Sequence, residues 1–363
     1  MNNQYLRTAT FPFLAVVALL LGGCGIKFSF ALHGSSSNKQ SSSSSTPSTV
    51  QGVSTQVVAS GPRPANDSIL VEPNNGMGTI YSFMSSATKT LDMTMYELSD
   101  PTAENILEQD AAKGVNVRVL LDQDYHGGNV NQAAYAQLTA HGVHVKWANA
   151  NTIFHQKTIT VDGVESCIMT LNLTSQYYST SRDLAVFDTN AQDVAAIEQV
   201  FHQDYSAPSN VPQDGAPTGS GDLVWSPGSQ QTLVNLIDSA KTSVDFESEE
   251  LSDRSIVDAL VNDVARGVDV KVVMEASSSW DTSFEKIVAA GGHVATYANT
   301  YNGFYIHAKF IDVDGSTVYI GSENASVASL DYNRELGIIL NSPSIAQAVQ
   351  AVFNKDFAGA TPY

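Results

Sequence analysis

The sequence predicts an α/β protein of two homologous halves. Each half should be a mostly parallel sheet flanked by helices, and the two should pack with pseudo-two-fold symmetry around one shared site. Three observations carry this. The chain repeats itself: ILVEPNNG from Ile69 answers to LVWSPGSQ from Leu223, and SSATKTLDMTMYELSD ending at Asp100 answers to DSAKTSVDFESEELSD ending at Asp253. Likewise AAKGVNVRVLLD from Ala111 answers to VARGVDVKVVME from Val264. Within each copy, segments of helical period alternate with continuous β-branched runs, the pattern of a sheet covered by helices on both faces. Finally, 363 residues with 43% hydrophobic and 15% charged content are enough to bury such a core, and exclude disorder outside the N-terminal region.

The elements follow in chain order. Residues 1–24 read as a lipoprotein signal: Arg7 precedes the apolar run FPFLAVVALLLGGC, and Leu21-Gly22-Gly23-Cys24 resembles the bacterial lipobox, whose cysteine is acylated. The run is short for a membrane-spanning helix and right for a secretory segment. Residues 25–65 are serine-rich, with SSSNKQSSSSST at their centre, and read as a flexible tether. The location expected is therefore the bacterial cell envelope, exported and lipid-anchored through Cys24. Cys167, the only other cysteine, falls in a β-like run and reads as a small core residue.

The first half is assigned to 66–205 and the second to 222–363, joined by a Pro-, Gly- and Ser-rich linker at 206–221. TAENILEQDAAKG and SIVDALVNDVARG have helical period and end on glycines, Gly114 and Gly267, placed to take a left-handed cap. The runs that follow, VNVRVLLD and VDVKVVME, read as buried strands.

Each half then carries the same polar constellation inside a β-like stretch. FHQKTITVDG holds His155, Lys157 and Asp162; YIHAKFIDVDG holds His307, Lys309 and Asp314 at the same spacings. Asn172 and Asn324 lie ten residues beyond those aspartates, and Asp183 and Glu335 each lie 28 residues beyond their histidine. One such copy would be weak, whereas two at equivalent places in a repeat are specific. Histidine and lysine two apart on a strand point to the same side, and a pseudo-two-fold would bring the two pairs to one point from opposite sides.

These residues resemble the phospholipase D superfamily, whose signature is H-x-K-x(4)-D followed by G-S-x-N, and the resemblance runs from about Ile69 to the C-terminus. The second half keeps the signature through Gly321-Ser322-Glu323-Asn324 and NREL at Asn333 to Leu336; the first has Met169-Thr170-Leu171-Asn172 instead. The resemblance implies cleavage of a phosphodiester through a phosphohistidine. His155 would be the nucleophile and His307 the acid and then the base, with Lys157 and Lys309 in the catalytic set and Asp162 and Asp314 in it as supporting residues that also read as D-G turns. Asn172, Asn324, Thr170 and Ser322 would bind the phosphate, and Asp183 and Glu335 would orient the histidines, the partner of each being open. Two lysines and two asparagines can do the neutralising work of a metal, so no cofactor is implied.

Hydrolysis of a phospholipid headgroup at a membrane surface is the first expectation, with phosphatidyl transfer like that of cardiolipin synthase as the alternative. A nuclease ranks third, because a net charge of −19 opposes binding of a polyanion. A single chain carries both motifs, so a monomer suffices for one complete site. His144 and His293 read as surface residues of strands, Trp147 and Trp280 as packing residues, and Glu97 and Glu250 as parts of a helix-capping stretch.

Overall fold

The computed structural model describes residues 67–124, 126–300 and 303–363. The signal segment, Cys24 and the tether expected at 25–65 lie outside these residues. Among the described residues no helix is long and apolar enough to cross a membrane.

Two mixed sheets are built by the same rule. In the first half the central strand Thr90–Met95 pairs in parallel with Asn116–Leu121, which pairs in parallel with His144–Trp147. On its other edge Thr90–Met95 meets Lys157–Val161 antiparallel, followed by Glu165–Met169, Ser181–Asp188 and Ser68–Glu72, all antiparallel. The second half repeats this with Ser243–Glu247 in parallel with Asp269–Glu275 and then His293–Tyr297, and antiparallel to Phe310–Val313. Thr317–Gly321, Glu335–Leu340 and Leu223–Ser226 continue that side. The sheets are thus more antiparallel than the alternating pattern predicted. Within each main sheet the strands joined through helices are parallel, whereas the motif strand and its successor are joined by a tight turn at Asp162-Gly163 or Asp314-Gly315, which forces antiparallel neighbours.

The helices form where the sequence period places them. Pro101–Ala112 and Arg254–Ala265 are capped by Asp100, which accepts from the Thr102 N–H, and Asp253, which accepts from the Ile256 N–H. Gly114 and Gly267 after them have φ of 93° and 89°, the left-handed geometry expected of them. These helices bury their apolar stripes on the outer face of each sheet. A third core lies between the halves: Ile168, Leu184 and Val186 of the first sheet pack with Ile320, Leu336 and Ile338 of the second and with Val349 and Phe353 of the helix Pro343–Gly359. Strands there are buried on both faces, Ser181–Asp188 throughout its length. Cys167 is fully buried, and burial pushes its thiol well above the usual range, so it behaves as a core residue.

The halves are also stitched by backbone. Tyr305–Ile306, just before His307, pairs in parallel with Ser181–Arg182 of the other half, and the His307 N–H donates to the Arg182 carbonyl at 3.2 Å. Reciprocally Phe154, just before His155, bridges to Arg334, with the Gln156 N–H on the Arg334 carbonyl at 3.0 Å. Each motif is therefore docked on the residue of the opposite half that immediately precedes the equivalent carboxylate of the repeat, Arg182 before Asp183 or Arg334 before Glu335.

Candidate active site

Those two stitches decide how the histidines are oriented. His155 Nδ1 lies 2.6 Å from Glu335 Oε2, and His307 Nδ1 lies 2.7 Å from Asp183 Oδ1. A carboxylate can only accept, so each Nδ1 carries a hydrogen and Nε2 is the ring atom left to react. The pairing left open by the sequence is thus crossed: each half orients the histidine of the other.

Both carboxylates are held in turn. Asp183 accepts from the Thr170 hydroxyl at 2.7 Å and the Ser181 hydroxyl at 2.7 Å; Glu335 accepts from the Ser329 hydroxyl at 2.5 Å and the Asn333 amide at 3.0 Å. Burial raises Asp183 and Glu335, but His307 beside the first and His155 beside the second outweigh it and hold both below the usual carboxylate range. On His155 burial dominates: despite Glu335, the ring is pushed down to about 4 and is neutral at pH 7.

The residue before each histidine is anchored by a second carboxylate that sequence reading missed. The Phe154 N–H donates to Asp122 at 2.7 Å and the Ile306 N–H to Glu275 at 3.0 Å. Burial raises Asp122 to about 8 and Glu275 to about 7. The signal was present in the repeat, since both end the equivalent runs VNVRVLLD and VDVKVVME.

The lysines are buried and point inward. Lys157 Nζ donates to the His155 carbonyl at 2.6 Å and Lys309 Nζ to the His307 carbonyl at 2.6 Å, each leaving N–H groups for other acceptors. Burial lowers Lys157 to about 7, with Glu335 opposing and Lys309 adding to the fall. Asn172 and Asn324 sit where short parallel pairings, Leu98–Ser99 with Leu173–Thr174 and Leu251 with Ala325, bring their loops against the ends of the central strands. The Oδ1 atoms of both asparagines are buried without a hydrogen-bond partner.

Four expected site residues are placed elsewhere. Asp162 and Asp314 do not join the histidines but sit at the far ends of the motif strands, five residues beyond Lys157 and Lys309, a separation of about 17 Å along an extended strand. There Asp162 accepts from the N–H groups of Thr88, Lys89 and Thr90 and from the Thr88 hydroxyl, and Asp314 from those of Lys241, Thr242 and Ser243 and from the Thr242 hydroxyl. Both have positive φ, 53° and 55°. They clamp the entry to the central strand, which is a folding role. Thr170 and Ser322 are fully buried behind the carboxylates: Thr170 spends its hydroxyl on Asp183, and Ser322 accepts from the Leu336 N–H at 3.2 Å. Gly321 likewise serves packing, since a Cβ there would come within 2.5 Å of the Gly337 Cα on the paired strand.

The pseudo-symmetry breaks at one aligned position. Beside His155 stands Tyr96, its ring 4.7 Å from the imidazole and 5.1 Å from Lys157 Nζ. The repeat puts Glu249 at the equivalent place, where Oε2 lies 3.1 Å from Lys309 Nζ, 3.4 Å from Asn324 Nδ2 and 3.6 Å from His307 Nε2. Its Oε1 accepts from the Tyr305 hydroxyl at 2.5 Å.

This geometry, two crossed histidine–carboxylate pairs with two inward lysines, agrees with what comparison with known proteins finds. The family described as "Cardiolipin synthase, PLD-like domain" matches the chain twice, over residues 80–205 and 233–357, together more than half of its length. The chain belongs to this phospholipase D-like family. Among curated relatives, cardiolipin synthase A of Pseudomonas putida (strain GB-1) is 28% identical over 331 residues, covering 79% of this chain and 68% of that protein. The major cardiolipin synthase ClsA of Bacillus subtilis (strain 168) is 25% identical over 290 residues, covering 69% and 59%. Among solved structures, phosphatidylserine synthase of Haemophilus influenzae Rd KW20 shares the fold, with a TM-score of 0.62 at 12% identity over 83% of this chain and 88% of that one.

Proposed function

We propose that the protein is a phosphatidyl transferase resembling cardiolipin synthase. It would pass a phosphatidyl group from one phospholipid to an alcohol through a phosphohistidine. The observation that carries the chemistry is the crossed orientation of His155 and His307, each held through Nδ1 so that Nε2 is the atom left to react. The preference for transfer over the hydrolysis first expected rests on the relatives, which carry the name of cardiolipin synthase.

In the first step His155 Nε2 attacks phosphorus, the bond to the departing alcohol breaks, and protonated His307 gives that oxygen its proton. In the second, neutral His307 takes the proton of the acceptor hydroxyl as its oxygen attacks phosphorus and the P–N bond breaks. Lys157 and Lys309, with the amides of Asn172 and Asn324, offset the charge on the non-bridging oxygens. Two features support His155 as the nucleophile: burial keeps its ring neutral at pH 7, and the ring faces uncharged Tyr96. His307 instead lies beside the Glu249 carboxylate, which repels an incoming phosphoryl anion.

The test uses vesicles of phosphatidylglycerol. Transfer yields diphosphatidylglycerol and glycerol; hydrolysis yields phosphatidic acid and glycerol. Diphosphatidylglycerol as the main product, with acid-quenched phosphoryl label on a His155 peptide, is the expected result. Phosphatidic acid alone would return the protein to the hydrolase reading, and label on His307 would reverse the roles.

A further inference from the structure

The position where the halves differ has a consequence for the charge state of the ligand. Lys309 Nζ, Asn324 Nδ2 and His307 Nε2 are the second half's contribution to the proposed phosphoryl site. One oxygen of Glu249 touches all three, at 3.1, 3.4 and 3.6 Å. A phosphoryl oxygen bound to the same donors competes with that carboxylate oxygen for the same space. The other carboxylate oxygen is tied to Tyr305, whose backbone is pinned to Ser181 across the halves. Glu249 is nonetheless reachable from the cleft, its side chain being 27% exposed. Burial opposes its charge, but Lys309, His307 and the Tyr305 hydroxyl overcome this and hold it well below the usual carboxylate range, so it is ionised at neutral pH.

At the aligned position the first half has no carboxylate, and Tyr96 meets Lys157 with a ring face. Glu249 is therefore the carboxylate within hydrogen-bond reach of Lys309, whereas Lys157 feels Glu335, Glu249 and Glu97 through space.

We propose that Glu249 is a specificity-determining residue: a resident anion in the second-half part of the phosphoryl site that competes with the ligand and selects singly charged phosphodiesters over doubly charged phosphomonoesters. The inference rests on the reading of Lys309 and Asn324 as phosphate ligands. Its physical content is that a fixed negative charge within a few ångströms of the phosphoryl group repels a dianion about twice as strongly as a monoanion. A diester substrate or product can displace Glu249 from Lys309, whereas inorganic phosphate and phosphatidic acid bind poorly. A transferase gains from this because hydrolysis products do not block the cleft.

The experiment measures binding of inorganic phosphate and of dimethyl phosphate, as competitive inhibitors at pH 8, to the full chain and its variants. Glu249→Gln keeps the shape and the Tyr305 contact but removes the charge. It should tighten inorganic phosphate by about tenfold or more and dimethyl phosphate distinctly less, as expected when one nearby like charge is removed. Tyr305→Phe, which frees one carboxylate oxygen for displacement, should tighten both probes severalfold and serves if Glu249→Gln folds poorly. Unchanged or weaker phosphate binding in both variants overturns the inference, and equal tightening of the two probes by Glu249→Gln overturns the charge selection. Lys309→Met separates the underlying reading: it should abolish binding of both probes, and if it does not, the phosphate-site assignment itself fails.

Discussion

Replacing Glu335 by glutamine tests the crossed geometry most directly. The variant keeps volume and one acceptor but removes the charge that faces His155 Nδ1 at 2.6 Å. Glu335 is fully buried and the His155 side chain is 11% exposed, so little solvent screens the pair. A hydrogen bond to a charged group contributes about 1.5–3 kcal/mol, which corresponds to a slowing of roughly ten- to 150-fold in the step that needs a basic, correctly oriented His155. Under the proposed roles that step is formation of the adduct. Rapid acid quench with a p-nitrophenyl phosphodiester should therefore show slow labelling in Glu335→Gln. Asp183→Asn, which disturbs His307, should label at nearly the normal rate with this good leaving group but release the adduct slowly. With a poor leaving group both variants should be slow. The reverse pattern would mean that His307 is the nucleophile, and identical behaviour would refute separate roles. A readout independent of turnover comes from urea unfolding: His155→Ala and Glu335→Gln should be coupled by about 0.5–3 kcal/mol, while His155→Ala and Asp183→Asn should be closer to additive. Strong coupling of the latter pair alone would refute the crossing.

Further outcomes are expected. The pH profile of kcat/KM should be a bell: His155, held at about 4, gains a proton and ceases to be a nucleophile as pH falls through that value, and Lys157, at about 7, loses its charge and its hold on phosphate as pH rises through that one. Lys157→Met should remove the alkaline limb, and persistence of that limb would assign it to another group. Asp162→Ala should lower unfolding stability by about 1–3 kcal/mol, through loss of accepted hydrogen bonds and the positive φ that alanine tolerates poorly. Because hydrogen bonds from Thr88, Lys89 and Thr90 outweigh burial and depress Asp162 to about 2, its contribution is present above pH 3.8 and is lost as pH falls toward 2. Folded Asp162→Ala should keep near-normal activity, and an active-site loss at full folding would return Asp162 to the catalytic set. Cys24→Ser should move the protein from the membrane fraction to the soluble one without changing turnover of a short-chain substrate; if it stays membrane-bound, acylation of Cys24 is not what holds it.

The duplication was legible because the repeat covers strands, helices and motif alike, and spacing alone brought out Asp183 and Glu335 as companions of the histidines. Their crossing was not legible, since a separation of 28 residues is the same in both halves and fits either pairing. What decides it is contact between the halves, Tyr305–Ile306 on Ser181–Arg182 and Phe154 on Arg334, which no local pattern encodes. The sequence places Asp162 and Asp314 in the catalytic set as supporting residues because they share a short motif with His155 and His307, and the D-G turn read beside that role is what the backbone shows. Closeness in sequence is separation in space along a strand, and the aspartates serve three backbone N–H groups at its other end. For Thr170 and Ser322 the sequence shows a hydroxyl near an asparagine but not its partner, which is Asp183 for the first and the Leu336 N–H for the second.

The crossed pairs also explain what fusing two copies into one chain makes possible. Neither half alone could orient its own histidine, because Glu335 serves His155 and Asp183 serves His307. Two separate copies of one half could satisfy that need as a symmetric pair, but every residue would then appear twice. In one chain the equivalent positions are encoded independently, so Tyr96 and Glu249 can differ while both sets of backbone stitches are kept. Attack and protonation are opposite tasks, and a symmetric site leaves either histidine free to do either. An uncharged ring beside His155 and a carboxylate beside His307 lift that degeneracy at the point where the incoming phosphoryl group must choose a side.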